Sequence, residues 1–220
     1  MIGMVLAEMY SFLWFPDSRK AAPLQMWQFE FGLEHSDSEY VVMMDADMLH
    51  HPSFLRKLLP HIVYSPNIAF VQIPQPFYNL PPGDPLNHLT SMFYDKVLAH
   101  RDTLGCATCF GTGTLFSRRH LNQIGGFQPQ SITEDTTTAY ALFREGFRSV
   151  YLDEKLQIGL CSWTYEGYVQ QRTRWGRGAI LQFRSTWRAM LSRAASSTLL
   201  SKSSTYYLQS IVNFEGYCIM

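Results

Sequence analysis

Short, uninterrupted apolar runs alternate along the chain with stretches whose apolar positions recur every three or four residues. Residues 40–44 (Tyr-Val-Val-Met-Met) form one such run, the pattern of a strand covered on both faces as in a parallel sheet. From about Pro52 the period changes. Proline suits a first helical turn, and Phe54, Leu55, Leu58 and Leu59 make an apolar stripe. Residues 68–73 (Ile-Ala-Phe-Val-Gln-Ile) predict the next strand, closed by Pro74 and Pro76, which cannot continue a sheet ladder. Leu-Pro-Pro-Gly-Asp-Pro at 80–85 is a turn, and residues 86–100 predict a helix with Leu86, Leu89, Phe93 and Val97 on one side.

A glycine-bearing loop then leads to a short predicted strand, 114–117, a helical turn and a stop at Gly125-Gly126. The stretch 131–147 predicts a capped helix. Thr133 is the expected N-cap, Glu134 and Asp135 suit the positive helix end, and Gly146 ends it. Ser-Val-Tyr-Leu at 149–152 is a further strand. Residues 164–193 should be mostly helical, with Tyr168, Trp175, Ile180, Phe183 and Trp187 in an amphipathic band beside arginines. Alternating strands and helices imply an α/β layered sheet.

Composition narrows the class. At 220 residues with 46% hydrophobic and 15% aromatic content, the chain is globular rather than disordered. Net charge is zero but unevenly placed. After Glu166 come Arg172, Arg174, Arg177, Arg184, Arg188, Arg193 and Lys202 against the one acid Glu215. A basic last quarter suits a diphosphate, an anionic lipid surface or nucleic acid, and equally a set of solvated helix faces. Its arginines are spread among aromatics without a nucleic-acid motif, which argues against nucleic acid. Cys106, Cys109, Cys161 and Cys218 give no disulfide framework. The single C-x-x-C lacks a second pair to complete a zinc site. No run of eighteen uncharged apolar residues marks a membrane span, and the apolar residues 1–15 lack the basic start and cleavage site of a signal peptide. The Ser-rich stretch 193–205 reads as a linker. The organisation expected is an α/β unit over 1–165, an amphipathic helical region over 166–195, and a linker with the start of a further apolar element over 196–220.

Three constellations carry chemistry. Asp45-Ala46-Asp47 leaves a predicted strand, where two carboxylates either shape a turn or hold a hard divalent cation such as Mg²⁺ or Mn²⁺. A cation would relieve their mutual repulsion. Thr133-Glu134-Asp135 is either a helix start alone or a helix start that also aims a general base at a hydroxyl. In Gln171-Arg172-Thr173-Arg174-Trp175 an arginine offers a planar fork to phosphate oxygens. The adjacent indole offers a stacking surface for a sugar ring, or else packs in a core. His50 and His51 follow the paired aspartates and could reach such a cation, but read rather as solvent-exposed turn residues.

Taken in order, Asp-Ala-Asp, Val-Gln-Ile-Pro-Gln-Pro-Phe-Tyr-Asn, Phe-Gly-Thr-Gly-Thr, Thr-Glu-Asp and Gln-Arg-Thr-Arg-Trp resemble the processive family 2 glycosyltransferases, most of all their cellulose synthase branch. The resemblance runs from about Pro16 to Phe183. It implies a partial GT-A (nucleotide-diphospho-sugar transferase) sheet with helices on both faces, followed by amphipathic interface helices. It also implies inverting transfer from a UDP-sugar, with glucose as the guess, to a growing β-linked polysaccharide. Asp45 would contact the nucleotide-sugar and Asp47 the metal. Asp135, with Glu134 beside it, would deprotonate the acceptor hydroxyl. Gln171 and Arg174 would bind the diphosphate and acceptor region. Trp175 would be the sugar platform, and Phe110, Gly111 and Thr112 would line the acceptor site. Lys20, in a segment that departs from the family pattern at Ala22-Pro23, would contact nucleotide. A membrane-associated enzyme with its catalytic face in the cytosol follows from the same likeness.

The chain also departs from that pattern. It has no Asp-Asp pair, and about forty residues precede Asp45, so the expectation is a polypeptide truncated at both ends. A non-processive family 2 transferase and an inactive remnant partnering a full-length synthase are the competing readings.

Overall fold

The computed structural model describes residues 6–9, 33–128 and 133–193. Lys20, most of the Ser-rich stretch and the apolar C-terminal residues lie outside the described residues, as do the side chains of Phe183 and Trp187.

The elements in chain order are β1 (Leu6–Met9), β2 (Tyr40–Asp45), β3 (Leu49–His50), α1 (Phe54–Val63) and β4 (Ile68–Gln72). A π-helical segment (Met92–Leu98) then runs into α2 (Ala99–Thr103). There follow β5 (Thr114–Ser117), α3 (Arg118–Gln123), α4 (Glu134–Arg144), β6 (Arg148–Tyr151), β7 (Gln157–Ile158) and α5 (Tyr165–Arg193). Five strands form one sheet in the order β1-β2-β5-β4-β6, and β3 pairs with β7 separately.

Alternation within the strands explains the layers. Val41 and Met43 of β2, Phe70 of β4 and Phe116 of β5 pack on one face with Leu121 of α3 and Ala139, Leu142 and Phe143 of α4. Their neighbours Val42, Val71 and Leu115 pack on the other face with Phe54, Leu58 and Ile62 of α1. Successive strand residues point to opposite faces, so uninterrupted apolar runs are what a sheet covered on both sides requires. All five residues of β4 are buried.

Three expectations need correction. The apolar runs suggested a parallel sheet. The β1–β2 and β4–β6 pairs are parallel, but β5 runs antiparallel to both β2 and β4. Burial on both faces reports helical cover, not strand direction. The helix expected over 86–100 begins only at Met92. Asp84, Asn87 and Thr90 adopt φ of 41°, 50° and 44°, and the Asp84 carboxylate accepts the N–H groups of His88 and Leu89 at 2.8 and 2.9 Å, which turns the backbone out of helical geometry. Thr133 precedes α4 as expected, but its hydroxyl makes no capping bond. It accepts from Gln182 Nε2 at 3.0 Å instead.

That last contact shows how α5 docks. A Cβ on Gly178 would lie 2.4 Å from Thr133 Cγ2, so only glycine lets the helix backbone approach so closely. Ala179 is buried beside it, and Gln182 also donates to Thr137 Oγ1 at 3.1 Å. Through this notch α5 is laid against the first turn of α4.

Candidate active site

The end of β2 delivers Asp45, and a tight turn follows, with Met48 N–H donating to the Asp45 carbonyl at 3.1 Å. Asp45 is half-buried while Asp47 is exposed on the turn. The next strand of the sheet, β5, is entered through the loop 109–113, and Thr112 Oγ1 accepts the Asp45 N–H at 3.1 Å. The same loop touches the start of α4. Thr136 Oγ1 donates to the Cys109 carbonyl at 3.3 Å, and a Cβ on Gly111 would lie 3.0 Å from Asp135 Oδ2. Residues about ninety apart in sequence are therefore joined across one loop.

Asp135 is held in a defined orientation. Its Oδ1 accepts from the Thr136 N–H at 2.6 Å and the Thr136 hydroxyl at 3.3 Å. The other oxygen is the one that faces Gly111. Gly111 has φ of 91°, in the left-handed region where a side chain is strained.

The electrostatics follow from this crowding. Asp45 is pushed up to about 7, by burial first and then by Asp47 and Asp135, with Arg174 opposing. Glu134 is also pushed up to about 7, by burial and by Asp135, while Arg174 pulls it down. Burial raises Asp135 against the Thr136 hydrogen bonds and Arg174. One arginine of α5 thus acts on three carboxylates from two other elements, a cluster of perturbed groups of the kind found at functional sites.

This excess of half-buried carboxylate suits a cation. Among the described residues no group of three or more His, Cys, Asp or Glu side chains is arranged to hold an ion unaided. A Mg²⁺ or Mn²⁺ at Asp47 would draw its remaining oxygens from a diphosphate and water, as such ions commonly do. The residues present fit that role.

The other expected residues are placed as follows. Phe110 lies in the connecting loop, with Phe93 and Tyr94 of the π-helical segment edge-on to it at 6.0 and 5.3 Å. Trp175 is half-buried on α5, and the Arg172 guanidinium stacks over its ring at 4.8 Å. Gln171 is half-buried one turn before Arg174. His51 is an exposed turn residue bonded to Ser53 Oγ at 2.7 Å. His50, expected on an exposed turn, instead lies in β3 opposite Gln157 and is half-buried against the Phe54 ring. Cys106 and Cys109 are buried thiols outside any disulfide.

Three residues that shape the site have no role that the sequence pattern assigns. Gln72, fully buried at the end of β4, donates Nε2 to the carbonyls of Ile73 (2.9 Å) and Thr112 (2.7 Å). Its Oε1 accepts from Phe110 N–H (3.2 Å) and the Thr114 hydroxyl (2.6 Å). Every hydrogen-bonding position of the amide is filled. Gln157 of β7 donates to the Pro74 carbonyl at 3.0 Å. Tyr94 is half-buried, within electrostatic reach of both Asp45 and Arg172. Polar residues in apolar runs were the available signal for the two glutamines. Tyr94 gave none, since its apolar neighbours suggest core.

A cavity of about 470 Å³ lined by residues such as Tyr40, Ile62, Arg118 and His120 lies at the opposite end of β2 from Asp45. It belongs to a separate region.

Comparison with known proteins bears on this geometry. The family described as Glycosyl transferase family group 2 matches residues 40–217. The UDP-forming cellulose synthase catalytic chain of Dictyostelium discoideum is 36% identical over 170 residues, covering 71% of this chain and 16% of that protein. Cellulose synthase 1 of Komagataeibacter xylinus is 31% identical over 161 residues, covering 70% and 10%. The chain therefore spans less than a fifth of either relative. Among solved structures, a mannosyltransferase from Pyrobaculum calidifontis in complex with GDP-Man and Mn²⁺ superposes with a TM-score of 0.56 at 18% identity, over 87% of this chain and 64% of that one. This likeness shows the fold, a partial GT-A sheet with helices on both faces.

Proposed function

Since this chain belongs to glycosyl transferase family group 2, and within it is cellulose synthase-like, we propose that it extends a β-linked polysaccharide by inverting transfer from a UDP-sugar, with glucose as the donor sugar. The observation that carries this reading is the convergence of Asp45, Glu134, Asp135 and Arg174, drawn from β2, α4 and α5.

In this mechanism the acceptor hydroxyl attacks the anomeric carbon from the face opposite the nucleotide. Asp135 accepts the hydroxyl proton on Oδ2, the oxygen not engaged by Thr136. Burial raises its proton affinity, which favours proton transfer to it from an alcohol. Glu134 beside it keeps Asp135 from losing that proton readily, because each carboxylate disfavours the other's ionisation. Arg174 stabilises charge growing on the departing diphosphate, a preorganised electrostatic contribution. Asp45 contacts the nucleotide-sugar, with Gln171 and Lys20 also toward the donor, and Asp47 would ligate Mg²⁺ or Mn²⁺. When bound, such an ion neutralises the leaving group, and the mannosyltransferase of the same fold carries Mn²⁺. Trp175 supports the acceptor sugar, and residues 110–112 line its approach. Membrane association with a cytosolic catalytic face completes the proposal. No described helix is long and apolar enough to cross a membrane.

The test is paired. Asp135→Asn should lower transfer by about 10²–10⁴-fold, the usual contribution of a positioned base, while UDP binding by calorimetry is unchanged. Asp47→Ala should weaken Mn²⁺-dependent UDP binding. Transfer retained by Asp135→Asn removes the base assignment.

A further inference from the structure

Resting on the reading of Trp175 as the acceptor platform, we propose that Arg172 is a positioning residue that fixes the plane of the Trp175 indole, using the loop 84–90 as its anchor. The guanidinium carbon lies 4.8 Å from the Trp175 ring centroid and 5.0 Å from that of Tyr168. These rings lie three residues after and four before Arg172 on α5, so all three share one helix face. A planar, delocalised cation can bracket two rings in this way, and a lysine ammonium cannot reproduce it.

The bracket is tied down at its far end. Arg172 Nη2 donates to the Asn87 carbonyl at 3.3 Å. Asn87 is the middle of three non-glycine residues in left-handed conformation, Asp84, Asn87 and Thr90. The loop holds that shape because the Asp84 carboxylate accepts two consecutive N–H groups and the His88 ring meets the Tyr168 ring edge-on at 5.1 Å. The Asn87 carbonyl is therefore a fixed point, the guanidinium is set by it, and the indole is set by the guanidinium. The sugar takes the indole face opposite the guanidinium.

Arg172 and Arg174 have separate tasks on this geometry. Asp45, Glu134 and Asp135 each feel Arg174, whereas Arg172 acts on Tyr94 and His88. Arg172 sits with the aromatic rings of the acceptor side.

The experiment uses the purified chain with cellopentaose as the acceptor probe and UDP with Mn²⁺ as the donor probe. Arg172→Ala and Arg172→Lys should each weaken cellopentaose binding roughly fivefold to tenfold, the scale of a lost stacking contact, with UDP binding unchanged. The near-UV circular dichroism band assigned to Trp175, by difference from Trp175→Phe, should collapse in both variants while far-UV signal and Tm hold. Tighter cellopentaose binding in Arg172→Ala, full rescue by lysine, or loss of UDP binding would each overturn the proposal. If Trp175→Ala leaves cellopentaose binding intact, the platform reading fails. The dichroism band still decides whether Arg172 orients the indole.

Discussion

At the scale of single residues, the contact most sensitive to change is between Gly111 and Asp135. The backbone at 111 adopts φ of 91°, and any Cβ would sit 3.0 Å from Asp135 Oδ2, the atom proposed to receive the proton. Asp135 would have to give way by a few tenths of an ångström, so Gly111→Ala should reduce transfer by less than the roughly 10²-fold that a full 1 Å misplacement costs. The control is Gly83→Ala. Position 83 has a comparable φ of 76° but nothing within 4 Å, so this variant strains the backbone without touching Asp135. Steady-state UDP release should fall for the first and hold for the second. Equal losses in both variants would show that backbone strain alone is responsible. The Thr-Glu-Asp motif pointed to Asp135, but nothing in its local sequence tells which carboxylate oxygen is free. That follows from Thr136 occupying Oδ1.

At the scale of elements, β4 contributes more than apolar surface. Its last residue, Gln72, fastens the carbonyl of Thr112 and the N–H of Phe110, so a strand that does not itself enter the site determines the shape of the loop that does. Gln72→Leu leaves buried backbone groups without partners, each costing about 1–3 kcal/mol. Denaturant melts should show a destabilisation of at least about 2 kcal/mol, and acceptor binding should weaken with it. Element type was largely legible. The strands over 40–44 and 114–117 and the helix after Thr133 follow from local pattern, because each buries a regular face. The direction of β5 and the late start of the helix at Met92 were not. Strand direction is a matter of topology, and the unwound turn depends on the Asp84 carboxylate reaching four and five residues ahead. The glycine notch at Gly178 was invisible for the same reason, since its partner Thr133 lies at the start of a different helix.

At the scale of the whole molecule, the site places an electrostatic load on the fold. Glu134 is raised from an ordinary 4.5 to about 7. Between those values the folded chain keeps a proton that the unfolded chain releases, so stability falls as pH rises through this window. The full penalty is present above about 7 and absent below about 4.5. Glu134→Gln should thus match the parent in Tm at pH 4.5 and exceed it at pH 8, with the gap opening between. A constant gap across that range would contradict the buried-carboxylate account. Excess stability on neutralising such a group is common where activity requires a destabilised arrangement.

The docking of α5 at Gly178 has one mechanical consequence. The helix has 29 residues, about 43 Å at 1.5 Å per residue, and its glycine contact falls near the midpoint, like the fulcrum of a seesaw. A 10° tilt about that point would carry residue 193 about 4 Å but residue 175 less than about 1 Å. Trp175 and Arg174 thus sit where rocking of the helix is least felt, and whatever pulls on the distal end reaches them strongly attenuated.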